Sequence, residues 1–323
     1  MHEHAFASRK DLIDDTNMEK HTTSSLMLIR PARFFYNAQT AVNNAFQDAD
    51  SNQQEVAKKA AQEFENLLHT LQANGINAFA VADTPDPETP DSIFPNNWIS
   101  THSDGRIVLF PMFAENRRLE RKESVISYLN NHFAITGSID FTGFENEGMF
   151  LEGTGSMVFD RTNKIAYACL SPRTSTDLLN KFCDALGYTA VWFDAVDENG
   201  QAIYHTNVMM AVGTDYAVVC LDAVEDELQK EVLVSKLQQT SKTIVPISFQ
   251  QMNSFAGNML QVENKDGEKL LVMSTQAYEV LDENQIETLG KFNKLIHSDI
   301  GTIEKNGGGS VRCMLAEIHL PPK

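Results

Sequence analysis

Little in this sequence would staple, anchor or strongly charge it in the positive sense. Only four of its 323 residues are cysteine, at Cys169, Cys183, Cys220 and Cys313. They lie far apart and none forms a Cys-x-x-Cys pair, which speaks against a zinc knuckle or a disulfide framework. A reducing, cytoplasmic setting fits such usage. Cations are scarce as well: 26 Lys and Arg stand against 44 Asp and Glu, a formal charge of −18. Nucleic-acid backbones and anionic membrane faces are bound by clustered cations, so neither is expected as a partner. No apolar run approaches the roughly 18 residues of a membrane span. The stretch Met1–Ser25 has no apolar segment of the secretory kind, and residues 1–25 read as a flexible leader. A phosphate loop ending in Lys-Ser/Thr and a dinucleotide fingerprint after a strand are both missing.

What is present is enough apolar material for a sizeable core, 42% of the chain. Length alone suggests two domains or one large one. A repeat favours the second. Strand-like pairs flank polar turns at Trp98–Thr101 and Arg106–Pro111, Ser156–Phe159 and Ile165–Leu170, Val208–Val212 and Ala217–Leu221, and Met259–Val262 and Lys269–Met273. Each reads as a β-hairpin. Helical patterns follow at Glu115–Leu129, Thr176–Leu186, Glu225–Gln239 and Gln276–His297. A further strand follows each: Ile135–Phe141, Thr189–Phe193, Thr243–Ile247 and a segment near Ile300–Glu304. Hairpins recur about every 50 to 60 residues, which is repeat spacing. A fifth unit assembles from the two ends: Val311–Leu320, Leu26–Arg30, the helix Gln53–Leu71 and the strand Ala78–Val81. The expected fold is α/β: a five-bladed α/β propeller of pseudo-fivefold ββαβ units, forming one catalytic domain over residues 26–323. Its rival is a two-domain α/β protein with unrelated hairpins.

Four chemically capable side chains sit where hairpins begin: Asn97, Glu152, His205 and Cys313. In a ring of equivalent units such positions converge on the axis. A nucleophile, a base and a carboxylate at one phase make a triad-like set. Cys313 follows Gly307-Gly308-Gly309, where the backbone can approach a ligand closely. Taken singly, Cys313 also fits an inert buried thiol.

Six stretches in one order give the sequence a family likeness. They are Pro90–Trp98, Met112–Glu120, Leu151–Gly153, Ser171–Thr174, His205-x-Asn207 and Gly307–Cys313. With them the chain resembles the guanidino-group modifying enzymes, the amidinotransferase or arginine deiminase superfamily, whose fold is a five-bladed α/β propeller. That resemblance implies Cys313 as nucleophile, His205 as general acid/base and Glu152 as its carboxylate partner. It also implies Arg173 as the clamp on a substrate α-carboxylate, a role suited to a bidentate guanidinium. Asp91 and Phe94, in the same stretch as Asn97, are assigned to substrate binding. Arg117 and Glu120 read better as a structural ion pair than as substrate contacts.

Two departures refine the likeness. Family members acting on arginine usually carry Asp where this chain has Asn97, and often another where it has Asn207. An amide offers both a donor and an acceptor, an ionised carboxylate only acceptors. The exchange suits a neutral ureido group, and the chain looks most like the citrulline hydrolase branch. The expected reaction takes L-citrulline to L-ornithine, ammonia and carbon dioxide through a carbamoyl-thioester on Cys313, with no metal or organic cofactor. The alternatives are an arginine deiminase, a dihydrolase for arginine or an N-modified arginine, and an amidinotransferase. The substrate is then a small amino acid, no sequence pattern fixes whether the chain is a homo-oligomer, and the negative charge is assigned to the outer surface rather than to the pocket.

Overall fold

The computed structural model describes residues 19–48 and 52–323. Fifteen strands run through them. They are β1 (Ser25–Arg30), β2 (Asn77–Ala82), β3 (Ile99–Thr101), β4 (Arg106–Leu109), β5 (Gly137–Asp140), β6 (Val158–Asp160), β7 (Ile165–Cys169), β8 (Thr189–Phe193), β9 (Met210–Val212), β10 (Tyr216–Val219), β11 (Thr243–Pro246), β12 (Leu260–Glu263), β13 (Lys269–Ser274), β14 (Lys294–Ser298) and β15 (Ala316–Glu317). They form five three-stranded sheets with one plan: β15-β1-β2, β3-β4-β5, β6-β7-β8, β9-β10-β11 and β12-β13-β14. In each, the middle strand pairs antiparallel on one side and parallel on the other.

The middle strands show why. A parallel edge needs a crossover helix, which covers a face that an antiparallel ribbon could leave wet. Accordingly β7 and β10 are buried at every position, and β1 and β13 at all but their ends. The crossover helices bury one stripe each. In Gln53–Ala73 the buried residues are Val56, Ala60, Phe64, Leu67, Leu68 and Leu71, an i, i+4, i+8 pattern. Asn52 caps that helix through its side chain. Thr176–Leu186 buries Leu178, Leu179, Phe182, Cys183 and Leu186 and stops at Gly187. Among the described residues no helix is long and apolar enough to cross a membrane.

The repeat expected from the sequence is present, including the unit made from both ends, but several boundaries move. The span Gln276–His297 is two short helices, Thr275–Val280 and Glu283–Gly290, because Asp282 starts a new capping box. His297 lies on β14, which pairs in register with β13. The segment near Ile300–Glu304 is therefore not the closing strand of the fourth unit; it is helical, Gly301–Gly307. Glu115–Leu129 likewise breaks into Glu115–Arg118 and Glu123–His132. Val311–Leu320 opens with a helical turn, Val311–Met314, before β15.

Part of the stretch expected to be a leader is built into the fold. Residues 1–18 lie outside the described residues, but Glu19, His21, Thr22 and Thr23 are buried. Glu19 accepts from Arg161 and Lys164, and the Thr23 hydroxyl donates to the Ile318 carbonyl at 2.6 Å. A charged residue enters a core only when its partners are there, and the two basic groups meet Glu19.

Candidate active site

The first strand of each hairpin is preceded by a tight turn, and these turns carry the site. Pro95–Asn97 precedes β3, Gly153–Ser156 precedes β6, Thr206–Met209 precedes β9 and Val311–Met314 precedes β15. Glu152 and His205 sit at the first position outside their turns, while Asn97 and Cys313 lie within theirs. Cys313 thus stands on a helical turn rather than at the start of a strand. All four are buried.

His205 Nε2 and Glu152 Oε2 are 2.8 Å apart. Glu152 has further partners: the Phe113 amide donates to Oε1 at 2.8 Å, and Arg173 Nη1 lies 3.6 Å from Oε2. Burial by itself would raise this carboxyl, but Arg173, the His205 hydrogen bond and Arg117 together hold it down to about 2. For His205 burial wins over Glu152, with Arg173 and Arg117 adding to it, and the imidazole falls to about 4. The resting pair is therefore a carboxylate and a neutral imidazole. Because an ionised carboxylate only accepts, Nε2 carries the proton and Nδ1 is the free base. Gly155 makes room for this ring: a Cβ there would come within 2.8 Å of His205 Nδ1 and 2.4 Å of Asn97 Nδ2.

Cys313 Sγ receives two amide donors, Asn207 Nδ2 and Asn258 Nδ2, each at 3.4 Å. Asn258 was not among the residues expected from the sequence. It is fully buried, accepts from the Arg312 amide at 2.9 Å and donates to the Asn207 carbonyl at 2.9 Å. Its signal was legible: it stands two residues before β12, as Asn97 stands two before β3, and so fills the one remaining hairpin start. Hydrogen bonds to sulfur favour its charged form. Asn258→Leu is expected to lower kcat/KM about tenfold to hundredfold, the worth of one hydrogen bond to a charged group. The rate of Cys313 alkylation by iodoacetamide at fixed pH should fall in the same variant; an unchanged rate would reduce Asn258 to packing.

The pocket wall comprises Asp91, Phe94, Asn97, Arg117, Arg173, Tyr204, His205, Gly307–Gly309 and Cys313, closed by Thr40 and Asn44. It is only about 20 Å³, room for about one water. The closing segment binds firmly. Arg173 Nη2 donates to the Thr40 carbonyl at 2.9 Å, Arg173 Nε to Asn43 Oδ1 at 3.0 Å, and Asn44 Nδ2 to the Gly308 carbonyl at 3.2 Å. Gly308 has φ +65°, and a Cβ on it would strike Asn44. A ligand larger than a water therefore requires this segment to shift.

The structure brings Asp91, Phe94, Asn97, Arg173, His205 and Cys313 to one pocket, with Glu152 behind His205. Asn207 stands elsewhere: it holds the sulfur from behind and lines a separate cavity with His21, Arg161, Arg312 and Glu317. The orientation of Asn97 is fixed, since Arg117 Nη1 donates to its Oδ1 at 2.7 Å and a guanidinium cannot accept. Its Nδ2 is left without a partner, as is Asp91 Oδ1. Arg117 also binds Glu120 through Nε at 2.8 Å and Nη2 at 3.0 Å, the ion pair expected from the sequence.

The pocket wall itself carries one carboxylate, Asp91, beside the guanidiniums of Arg117 and Arg173; Glu120 and Glu152 are buried behind it, Glu120 paired with Arg117 and Glu152 3.6 Å from Arg173. Burial raises Glu120 to about 7 despite Arg117, and raises Asp91 despite Arg117, Asn37 and Thr40. The other three cysteines are ordinary buried thiols, with burial lifting Cys169 and Cys183 to about 12 and Cys220 to about 11.

Five sheets of one plan frame a buried pocket that holds Cys313, His205, Arg117 and Arg173, with Glu152 behind the histidine. The sequence profile of N,N-dimethylarginine dimethylhydrolase, eukaryotic, matches residues 30–320, and the chain belongs to that family. Solved structures share its fold. The arginine dihydrolase ArgZ of the ornithine–ammonia cycle in cyanobacteria superposes with a TM-score of 0.71 at 18% identity, over 92% of this chain and 41% of that one. This chain thus spans about two fifths of the full-length ArgZ structure. AgrE in complex with ornithine and NAD+ gives 0.72 at 15% identity, over 93% and 40%. A dimethylarginine dimethylaminohydrolase adduct gives 0.61 at 16% identity, over 92% and 99%. No curated protein matches the sequence significantly.

Proposed function

We propose that this chain is a cysteine hydrolase of a guanidino-bearing amino acid, arginine or an N-modified arginine. An unpartnered carboxylate oxygen carries the reading. Asp91 Oδ1, buried in the pocket wall, makes no hydrogen bond. A cationic guanidino group offers it a charge-assisted donor, whereas a neutral ureido group offers a weaker one. The family profile and the dihydrolase and dimethylaminohydrolase neighbours support the same class.

In this reading Arg173 exchanges Thr40 and Asn43 for the substrate α-carboxylate, and Phe94 packs beside Asp91. The Cys313 thiol gives its proton to His205 Nδ1 as the sulfur adds to the guanidino carbon. His205 passes that proton to the departing amine, ammonia or an alkylamine, and Glu152 balances the transient imidazolium. The amidino group left on sulfur is then attacked by water, whose proton His205 takes. Loss of the thiolate gives citrulline. A second attack on the ureido carbon expels ornithine, and water releases carbamate, which falls to ammonia and carbon dioxide.

That second stage is what Asn97 suits. Its fixed Nδ2 donor meets a C=O well and a guanidinium N–H poorly. This feature favours direct use of L-citrulline as a second reading. Five sheets of one plan support a closed five-bladed propeller, since β15 packs beside β3, β6 beside β9, and β9 beside β12. Four free thiols suit a cytoplasmic, reducing setting.

The test supplies L-arginine, dimethylarginine and L-citrulline in parallel and measures ammonia, alkylamine, citrulline and ornithine. Consumption of citrulline alone would overturn the guanidino reading in favour of the ureido one. Asn97→Asp is expected to raise the arginine-to-citrulline ratio of kcat/KM about tenfold or more, because a carboxylate accepts from guanidinium where the amide donates. Paired kinetics of the two substrates check it.

A further inference from the structure

Glu152 stands on a turn that its own residues hold poorly. Gly153-Thr154-Gly155 follows it, and two glycines in three leave the backbone free to take other shapes. Gly153 sits at φ +47°, where a Cβ would strike the Asn96 carbonyl oxygen. A carboxylate that must meet His205 at 2.8 Å needs a firmer mount. Ser156 supplies it. Its amide donates to the Glu152 carbonyl at 3.0 Å, and its hydroxyl accepts from the Glu152 amide at 2.9 Å, so the turn is closed in both directions.

The same oxygen reaches a second part of the site. Ser156 Oγ donates to the Arg173 carbonyl at 2.9 Å and accepts from Thr174 Oγ1 at 2.8 Å. A hydroxyl has one donor and two acceptor positions, and all three are used. Ser156 is fully buried. A third segment is tied in through the main chain. Thr206, directly after His205, donates from Oγ1 to the Ser156 carbonyl at 2.6 Å and accepts from the Cys169 amide at 2.8 Å. One serine thus joins the segments that carry Glu152, Arg173 and His205.

We infer that Ser156 is a positioning residue that sets the carboxylate behind His205 and the Arg173 guanidinium in one register. It lies outside the pocket wall and acts through the main chain of Glu152 and Arg173. The inference rests on the roles given to Glu152, His205 and Arg173 in the proposed reaction. Without the hydroxyl, the Glu152 amide keeps only its longer bond to the Arg173 carbonyl, at 3.3 Å. The two segments resettle on that bond, the glycine-rich turn follows, and both charged side chains move with it.

The experiment compares the wild type, Ser156→Ala and Thr174→Val in the full chain. Cys313 alkylation by iodoacetamide at fixed pH is expected to slow about fivefold to tenfold in Ser156→Ala, because a displaced Glu152 leaves His205 a poorer acceptor of the thiol proton. A purely structural role gives the opposite sign, since a loosened pocket exposes the thiol and speeds its labelling. With whichever of L-arginine, dimethylarginine or L-citrulline the wild type consumes, kcat should fall about tenfold and KM should rise severalfold, because Arg173 moves with Glu152. A smaller folded fraction lowers kcat alone. Thr174→Val keeps the shape of threonine and removes one donor from Ser156. It should shift both readouts the same way by about twofold, and it is decisive if Ser156→Ala does not fold. Alkylation that is unchanged or faster would overturn the proposal, and so would an unmoved KM. If the wild type consumes citrulline alone, the guanidino reading fails and the kinetic comparison runs on citrulline. If it consumes none of the three, that reading fails and the alkylation rates decide on Ser156.

Discussion

Cys313→Ser is expected to lower kcat about 10⁴-fold or more while leaving the folded chain intact, in line with the loss seen when a covalent nucleophile is removed. The surroundings of the sulfur give the reason. Asn207 and Asn258 each aim an Nδ2 donor at it. Donors stabilise an existing thiolate, but they cannot take a proton from a hydroxyl. A serine oxygen placed there gains hydrogen bonds and stays protonated, because its intrinsic acidity is far below that of a thiol. The exchange removes one soft, polarisable atom from a tight turn and needs no repacking. Steady-state kinetics with the preferred substrate, beside a thermal denaturation midpoint, separates the two effects. Retention of a tenth of the activity would sink the nucleophile assignment. Labelling gives an independent view: Cys169, Cys183 and Cys220 are held as thiols by burial, so a substrate-like alkylating agent should mark Cys313 first.

Arg117→Met should cost the most stability of any single change at the site, about 3–5 kcal/mol near pH 8, the range for removing one partner of a buried ion pair. Arg117 is the hub of the pocket floor. It pairs with Glu120, lies 3.9 Å from Asp91 and fixes the Asn97 amide. Methionine fills a similar volume but leaves both carboxylates facing each other. The sign of the pH dependence follows from Glu120, which titrates near 7 in the native chain and near 4.5 when unfolded. A raised native value means that the folded state binds the extra proton, so its stability falls as pH rises from about 4.5 through 7. Without Arg117 that value climbs further and the fall extends to higher pH. The variant should therefore lose much less at pH 5 than at pH 8. Urea midpoints at both pH values test this; equal losses would mean that packing, not charge, carries the role of Arg117.

Much of the fold was legible because a parallel middle strand needs apolar residues on both faces. Runs such as Ile165–Cys169 and Tyr216–Val219 therefore announce themselves, and Thr176–Leu186 follows from its apolar stripe alone. Short elements near the ends were not. Leu295 and Ile296 fell within the expected helix Gln276–His297, and only pairing with β13 made them a strand. Glycine-rich Gly307–Gly309 pointed to a close approach, but nothing local showed that Cys313 would ride a helical turn.

Sequence by itself determined the repeat, the phase at which Asn97, Glu152, His205 and Cys313 recur, and the shortage of cations. These are periodicities and counts, and they survive without coordinates. Tertiary structure alone decided the electrostatics of the pocket. Whether Asn207 meets the pocket or the sulfur, which atom Asn97 turns inward, and which carboxylate oxygen is left unpaired all depend on distances of a few ångströms between units far apart in the chain. Coulomb and hydrogen-bond energies change over those distances, so the order of residues along the chain could not fix them.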